Sequence, residues 1–324
     1  MFDFLRNRPY SIGVDAGNDS LKLVQLVQNG KGVSLMAGSR ENRPADVKPG
    51  SVDWQRWAIG ALREAMASGR FRGKEVVAAI PASEVFIDNI KIGFPFHNKS
   101  QNRGSMPKTS GNKLPRDVSS KIEQKLPFGL DDAMVKYVPT EEDNALVMAT
   151  ERKIIDRHLA MYEKAGLTIK SIGVWPTALT NCYTEFFGRR RADLETIVML
   201  LDMEANSTNI VICRHKNVLF AASIPMGAKQ LGDDKTVTRL ALELTGCRRR
   251  FTSIYRHARI ERLIFLSGPA VEADLYVTIA KQLEIQAQMG DCMAAVEIAN
   301  PYRSGIDRRD IHVNWATAFG LSLS

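Results

Sequence analysis

A chain of 324 residues is longer than one hydrophobic core normally supports, so two lobes or domains are expected. Hydrophobic residues make up 44% and charged residues 25% of the chain, proportions that exclude disordered and fibrous proteins. The formal net charge of +8 at pH 7 raises the question of nucleic acid or an anionic membrane surface as a partner.

Membrane-spanning and secreted classes are disfavoured. The longest stretch without a charged side chain covers residues 171–184 and contains a proline, whereas a spanning helix needs about 20 apolar residues. The N-terminal segment lacks the apolar core of a secretion signal, so a cytoplasmic protein is expected. The four cysteines form no CxxC pair, which disfavours a zinc site and a disulfide framework.

Positive charge is concentrated in two segments, residues 245–262 and residues 95–113. Neither segment combines its charge with an aromatic stacking platform, so no nucleic-acid partner is predicted. A solvated basic face, or one that meets an acidic partner, is the favoured interpretation.

The first half is predicted to open with a hairpin and then to alternate strands with helices. Residues 29–32 carry the turn signal, Thr150 is expected to cap a helix, and Gly166 to end it. The predicted elements are two strands within 10–39, a helix at 53–68, strands at 76–80 and 85–92, a polar loop at 97–113, a helix at 115–125, strands at 134–138 and 145–148, a helix at 150–165 and a strand at 168–174.

The second half begins again with three strands, and the alternation of strands with helices predicts the α/β class. Its predicted elements are strands at 196–202, 207–213 and 217–224, helices at 233–246 and 249–258, a strand at 263–266, a helix at 269–283 and a last element at 315–323.

Two strand-turn-strand units end their first strand on an aspartate, Asp15 in IGVDAGNDSLKL and Asp202 in LLDMEANST. Taken singly, an aspartate before a turn indicates only the turn. The duplication is what two lobes closing on one polyphosphate need, with backbone N–H groups facing phosphate oxygens and each aspartate facing a metal ion or its waters. Gly17 is expected to adopt positive φ, and Lys22 to offer a point charge to a phosphate.

A third motif, LIFLSGPA at 263–270, runs from an apolar strand into Ser-Gly and a helix start, which can receive an adenosine moiety. With these three motifs in this order, the sequence resembles the actin-like ATPase superfamily (FtsA, actin and Hsp70) and, within it, the PilM family of type IV pilus assembly proteins. WPTALTN at 175–181 resembles the segment that connects the lobes. Residues 76–92 and 125–138 resemble an insertion that this family shares with FtsA, and ATAFGLSLS resembles its C-terminal helix.

The resemblance implies a two-lobed, actin-like (ribonuclease H-like) fold with an inserted subdomain of the 1C type. The implied first lobe comprises residues 1–81 and 170–190. The insertion comprises residues 82–169, and the second lobe residues 191–324.

The resemblance also implies binding of ATP with magnesium, at most weak ATPase activity, and no assignable catalytic residue. Asp15 and Asp202 would reach the magnesium ion through water. The residues carried over as cofactor-binding are Asp15, Gly17, Asn18, Lys22, Asp202, Asn206, Ser207, Thr208, Gly227, Ser267 and Gly268.

In that family the partner is the short cytoplasmic tail of the inner-membrane protein PilN, held between the first lobe and the insertion. The strands at 76–92 are the expected lining, where a peptide would gain backbone hydrogen bonds and apolar pockets. The resemblance thus implies a cytoplasmic scaffold that is peripheral to the inner membrane through its partners, among other pilus assembly proteins. It leaves open whether copies of the chain associate.

Three positions depart from the family's motifs: Glu204 and Pro269 stand where glycine is expected, and Ala228 replaces the second glycine of a pair. Positive φ at Glu204 would cost about 1 to 2 kcal/mol. A carboxylate about 4 Å from a phosphate charge would be repelled by about 4 kcal/mol at an effective dielectric of 20. Nucleotide binding is therefore expected to be weak or lost.

Two alternatives remain open. An active phosphotransferase of the sugar-kinase type would need an aspartate base beside a substrate hydroxyl. Asp88, Asp131, Asp132 and Glu243 are the candidates, and a surface or turn position is favoured for each. The other alternative is a degenerate interaction module that binds no nucleotide.

Overall fold

The computed structural model describes residues 8–30, 32–92, 116–267, 273–306 and 313–324. The predicted loop at 97–113, Gly268 and Pro269 lie outside these residues. Within them, no helix combines the length and the apolar character needed to cross a bilayer.

Fifteen strands are found in the described part of the chain. In chain order they are β1 (Arg8–Pro9), β2 (Ile12–Ala16), β3 (Ser20–Asn29), β4 (Gly32–Asn42), β5 (Glu75–Ile80), β6 (Phe86–Lys91), β7 (Ala133–Pro139), β8 (Asn144–Glu151), β9 (Thr168–Val174), β10 (Ile197–Met203), β11 (Thr208–Arg214), β12 (Asn217–Ile224), β13 (Arg262–Phe265), β14 (Gln286–Met289) and β15 (Glu297–Ile298).

The same residues form eight α-helices. They are α1 (Val52–Ala67), α2 (Arg116–Glu123), α3 (Arg152–Lys164), α4 (Trp175–Phe186), α5 (Asp234–Ile254), α6 (Ala273–Leu283), α7 (Cys292–Ala295) and α8 (Ala316–Ser322).

The first sheet has the strand order β15-β4-β3-β2-β5-β9, with β1 also pairing with β3. The predicted hairpin at 29–32 is confirmed, since β3 and β4 are antiparallel and Asn29 lies opposite Gly32. β5 runs parallel to β2 on one side and to β9 on the other. Apart from Asp15 and Glu75, the residues of β2 and β5 are apolar or glycine and are buried, as expected of strands in the interior of a sheet with both faces covered.

Helices cover both faces of this sheet. On one face, α1 and α3 pack through Trp54, Met161 and Tyr162. On the other, α8 lies against β2, and a Cβ on Gly13 would collide with the backbone oxygen of Ala318. Glycine at position 13 therefore allows α8, near the C-terminus, to pack closely against β2, near the N-terminus.

The second sheet has the order β12-β11-β10-β13-β14, in which β10, β13 and β14 are parallel. Asp233 caps the N-terminus of helix α5, since its side chain accepts from Thr236 N. The helix buries Leu240, Leu244 and Phe251 in the core beside this sheet. The first three strands repeat the antiparallel arrangement of β2, β3 and β4, as the sequence predicts.

A third sheet, in the order β6-β8-β7, lies within the predicted insertion at 82–169. Helix α2 packs on it through Val118 and Ile122, which are fully buried. The insertion is tied to the second sheet by polar contacts: Asn89 Nδ2 donates to Leu219 O at 2.8 Å, and Tyr255 Oη donates to Thr140 Oγ1 at 2.7 Å.

Two local predictions are wrong. Thr150 caps no helix, because β8 continues through Glu151 and the Thr150 hydroxyl donates to Glu84 O at 2.7 Å. The predicted helices at 233–246 and 249–258 are one helix, α5, because its apolar face continues through Phe251.

The division into lobes stays a prediction, and the packing of the chain differs from it in two places. Helix α3, within the predicted insertion, shares its core with α1. Strand β15 pairs with β4 and helix α8 contacts β2 and β3, although both elements lie in the predicted second lobe.

Candidate functional site

Two hairpin turns face each other across the cleft between the two large sheets. The first joins β2 to β3, and the N–H of Gly17 donates to Ser20 O at 3.0 Å. The second joins β10 to β11, and the N–H of Glu204 donates to Ser207 O at 2.8 Å. The pairing registers also correspond, since Asp15 lies opposite Lys22 and Asp202 opposite Asn209.

Neither turn uses the left-handed conformation. Gly17 and Glu204 both lie outside the set of described residues with positive φ. The expectation for Gly17 is therefore wrong, and the strain expected at Glu204 does not arise. The backbone conformation of both turns is therefore open to residues other than glycine.

Lys22 is held by the first lobe's own aspartate. Its Nζ lies 2.7 Å from Asp15 Oδ2 and donates to Asn314 O at 2.8 Å, and both side chains of the ion pair are about nine-tenths buried. Burial by itself lowers the pKa of Lys22, but the carboxylates of Asp15, Glu204 and Asp202 outweigh it and raise the net pKa. The ammonium group is thus already paired within the protein.

Asp202 is fully buried and accepts two side-chain amide hydrogen bonds. Asn314 Nδ2 lies 2.5 Å from Oδ1, and Asn209 Nδ2 lies 3.1 Å from Oδ2. Burial raises the pKa of Asp202, an effect that the two amides and Lys22 only partly offset. Asn314 therefore links the two lobes, since its carbonyl accepts from Lys22 and its amide donates to Asp202.

Glu204 adds a third carboxyl to this group. Its side chain is only partly exposed. Burial, followed by repulsion from Asp202 and Asp15, raises the pKa of Glu204 to about 8, against the opposing effect of Lys22. The carboxyl therefore holds its proton more tightly than an ordinary glutamate does.

Asp19 connects the two turns directly. Its Oδ1 lies 2.8 Å from Lys229 Nζ, and its Oδ2 accepts from Asn206 Nδ2 at 2.8 Å. Arg43 of the first lobe approaches the same carboxylate at 3.7 Å. A carboxylate from the first turn thus accepts from Asn206 of the second turn and from Lys229 after β12, as a phosphate oxygen would.

Gly227 holds the second turn against the segment after β12. A Cβ at this position would collide with Glu204 O and would lie 2.6 Å from Asn206 N. Ala228 N donates to Glu204 O at 2.8 Å, and Lys229 N donates to Ala205 O at 2.9 Å. Glycine is required here by close backbone packing.

The remaining predicted site residues serve mostly internal contacts. Asn18 Nδ2 donates to Ser83 Oγ at 3.2 Å, and the Thr208 hydroxyl donates to Met226 O at 2.7 Å. Ser267 is buried, and its hydroxyl accepts from Met203 N at 2.6 Å. Ser207 is partly exposed in the second turn, and Gly268 lies outside the described residues.

The structure brings Asp15, Lys22 and Asp202 into one buried group, where each pairs with other groups of the protein. Their role at a nucleotide and its magnesium ion stays a prediction. The structure adds Asp19, Asn209, Asn314, Lys229 and Arg43, which the sequence alone did not indicate. Asp19 stands inside the quoted motif, so its position was a usable signal. Asn314 belongs to no recognisable sequence motif. It reaches the cleft because the C-terminal segment packs there.

We looked in the described part of the chain for side chains placed to bind magnesium or to act as a base in phosphoryl transfer. Among the described residues, no cluster of three or more Asp, Glu, His or Cys side chains is arranged to hold a metal ion. Asp88 is held by Lys125 at 2.6 Å and Arg250 at 2.9 Å, which occupies the carboxylate as an interface ion pair. The other base candidates, Asp131, Asp132 and Glu243, are exposed on a turn or on α5.

The two large sheets, each opening on a hairpin whose first strand ends in a cleft aspartate, define the actin-like ATPase fold. A structure of the PilM-PilN type IV pilus biogenesis complex matches with a TM-score of 0.71 at 19% identity, over 97% of this chain and 98% of that one. A Bacteroides thetaiotaomicron protein with actin-like ATPase fold and unknown function matches with a TM-score of 0.51 at 10% identity, over 92% and 96%. These likenesses establish the fold.

The family follows from the sequence. The model of the type IV pilus assembly protein PilM matches residues 13–241, which is more than half of the chain. The chain belongs to the PilM family. No curated protein sequence matches it significantly.

Proposed function

We propose that this chain is a cytoplasmic scaffold of type IV pilus assembly, or of a related secretion system, that docks the cytoplasmic tail of a PilN-like inner-membrane protein. The observation that carries the proposal is the family match over residues 13–241. The likeness in fold to a chain of the PilM-PilN complex supports it. Such docking would hold the protein at the inner membrane, where it can meet other assembly proteins.

The tail is proposed to bind at the junction of the first sheet and the insertion. β5 hydrogen-bonds to β2 and β9 on its two sides, so a peptide cannot extend the sheet there. The chain leaves β5 at Pro81 and enters β6, and the junction carries the half-buried apolar side chains Val85, Ile87 and Val138. These side chains offer apolar contacts to an extended peptide.

A substitution at the junction tests this location. Ile87→Glu places a charge among the apolar side chains, and we expect at least a tenfold loss of affinity for a synthetic PilN-type tail in calorimetry. Leu194→Glu is the matched control, because Leu194 is 44% exposed and lies in the 3₁₀ turn before β10. Equal affinity of both folded variants and the wild type would exclude the junction as the docking site.

We further propose that binding of ATP with magnesium is weak and that turnover is low. In the described arrangement the donors that line the cleft are already engaged by carboxylates of the protein. Lys22 is paired with Asp15, while Lys229 and Asn206 donate to Asp19. A phosphate group could reach these donors only after the Asp19 carboxylate had moved away, which sets a cost against binding.

A further inference from the structure

Helix α5 presents a row of exposed side chains on the side that faces away from the core. The row consists of Lys235, Arg239, Leu242 and Arg249. At about 100° per residue these four positions fall within an arc of about 80°, and the row is about 21 Å long. The buried residues Leu240, Leu244 and Phe251 lie on the opposite side of the helix. We call this row the basic face.

The cations of the basic face are not engaged by carboxylates of the protein. Among the described residues, no acid forms an ion pair with Lys235, Arg239 or Arg249. The next residue differs, since Arg250 Nη2 lies 2.9 Å from Asp88 Oδ1 and is held at the insertion. The three cations of the face therefore remain available to a partner.

The charge around the basic face is of one sign. The acids of the helix, Asp234 and Glu243, lie about 60° and 40° beyond the edges of the arc. In the segment that follows α5, Arg256 and Arg259 are exposed, and they also form no ion pair with a described carboxylate. An unbalanced positive surface in a chain of net charge +8 attracts an anionic partner.

An apolar side chain stands among these cations. Leu242 is 67% exposed and lies within the arc, between Arg239 and Arg249 along the helix. On a helix that lies on a membrane, apolar side chains enter the headgroup region, while lysine and arginine keep their charged ends at the phosphates. The basic face has this combination of side chains.

The position of the face is also suitable for a membrane contact. Arg249 and Ile87 each adjoin one partner of the ion pair between Arg250 and Asp88. Ile87 belongs to the junction where the tail of the inner-membrane partner is proposed to dock. This step rests on the proposed function: a tail docked there would bring α5 close to the bilayer from which the tail emerges.

We propose that the basic face lies against an anionic phospholipid surface, with its cations at the lipid phosphates and Leu242 in the headgroup region. An acidic protein is the other partner that the charge could fit. The membrane is favoured because the face is the outward side of a helix, with an apolar side chain among its cations, next to the proposed site of the membrane protein's tail.

The contact is expected to be weak and to act together with the tail. Each basic residue near an anionic bilayer strengthens binding by about fivefold, and stable attachment to a membrane normally needs two such signals. Tail docking raises the local concentration of lipid at the face, so the two contacts reinforce each other. The lipid contact would then fix the orientation of the protein at the membrane.

Flotation of the intact protein with vesicles tests the contact. The anionic vesicles are phosphatidylcholine with one lipid in three replaced by phosphatidylglycerol, and pure phosphatidylcholine vesicles are the neutral comparison. At low salt we expect at least tenfold stronger binding to the anionic vesicles. Binding should be lost well above 0.1 M ionic strength, where exposed charges are screened within about 10 Å. Equal binding to both kinds of vesicle, or no binding by folded protein, would overturn the proposal.

A double substitution tests the basic face itself. Arg239→Ala with Arg249→Ala should lower the affinity for anionic vesicles by about 25-fold, which is about fivefold for each cation. Lys74→Ala with Lys216→Ala is the matched control, because it removes the same charge at exposed positions outside the face and should change affinity less than about twofold. Equal losses in the two variants would show a general attraction of a positive protein and would contradict the proposed face.

Leu242→Ser tests insertion of the apolar side chain. The residue is exposed, so the substitution leaves the core intact, and we expect about threefold weaker binding to anionic vesicles. Unchanged affinity would refute insertion of Leu242.

The same variants separate this inference from the proposed function. The vesicles carry no tail peptide, so their binding does not depend on tail docking. In calorimetry with the tail peptide, the basic-face variants should bind as the wild type does. Tail binding without vesicle binding would refute the lipid contact alone, and vesicle binding without tail binding would refute docking of the tail alone.

Discussion

Individual carboxyl groups connect the two sides of the cleft. Asp15, Asp19 and Asp202 each accept from a basic or amide side chain of the protein at 2.5 to 3.1 Å. In a phosphate-binding site, lysine and amide donors remain available to the ligand. In this cleft they bind carboxylates of the protein. Glu204 stands beside them with a raised pKa, so its charge depends on pH near neutrality.

Gly227→Ala tests the close packing of the second turn. The added methyl group meets backbone atoms of Glu204 and Asn206, which cannot move aside as a flexible side chain could. We expect a loss of roughly 1 to 3 kcal/mol in the free energy of unfolding, measured by urea denaturation. Gly246→Ala is the control, since a Cβ there meets nothing within 4 Å and alanine favours the helix by about 1 kcal/mol. Equal stability of the Gly227 variant and the wild type would contradict the packing described.

The raised pKa of Glu204 predicts how stability depends on pH. The pKa of Glu204 is near its ordinary value of 4.5 in the unfolded chain and about 8 in the folded protein. Between these values the folded state binds more protons, so the contribution of Glu204 to the free energy of unfolding is complete below pH 4.5 and is lost as pH rises to 8. Glu204→Gln should flatten this slope, while Asp202, whose pKa is also raised, keeps part of it. Parallel pH profiles of the variant and the wild type would rule out this role.

At the residue scale, the duplicated aspartates could be predicted because both stand at the end of an apolar strand run. The bridge from Asp19 to Lys229 could not, because the partners lie 210 positions apart and only the packing of the lobes brings them together. The same holds for Asn314 and Asp202. Sequence patterns report local geometry, whereas these contacts depend on how whole lobes dock.

Among the elements, the insertion is fixed to the second lobe by β6. Asp88 of this strand accepts from Lys125, which follows α2, and from Arg250 on α5. The Asp88 side chain is only 11% exposed, so its charge is poorly solvated and needs both partners. Movement of the insertion would separate these groups.

Asp88→Asn should loosen this attachment. Loss of the carboxylate leaves two cations facing an amide, and we expect roughly 1 to 2 kcal/mol lower stability with faster hydrogen exchange in β6 and α2. Asp53→Asn is the matched control, because its pair with Arg56 is well exposed and should contribute at most about 0.5 kcal/mol. Unchanged exchange in β6 would show that the insertion is held by other contacts.

Helices and strands with a strong hydrophobic periodicity were predictable, whereas short exposed elements were not. Helix α1 was predicted within one residue because Trp54, Ala58, Leu62 and Ala65 repeat at helical spacing. Strand β14 was missed because it has only four residues and all of them are exposed. The two-residue strand β15 exists only through its pairing with β4.

For the whole molecule, contacts of Asp19 and Asn314 join the two lobes across the cleft. Such a connection favours the closed arrangement without a ligand. A scaffold benefits, because it can present its docking surface without a nucleotide cycle. The same connection opposes entry of a phosphate group.

Asp19→Asn should therefore strengthen binding of ATP with magnesium. The substitution removes the charge that pairs with Lys229 and frees this cation, and we expect about fivefold tighter binding, equivalent to about 1 kcal/mol, in calorimetry. Asp15→Ala removes a carboxylate proposed to reach the magnesium ion through water and should lose the weak binding of the wild type. Identical heats from all three proteins would refute both assignments.

The central claim is that this chain docks a PilN-type cytoplasmic tail by means of a fold that needs no nucleotide to remain closed. It is tested most directly by calorimetric titration of the nucleotide-free protein with that tail peptide, repeated in saturating ATP and magnesium. We predict saturable binding in both titrations, with affinities that agree within about threefold. Absence of binding by folded, nucleotide-free protein would contradict the account.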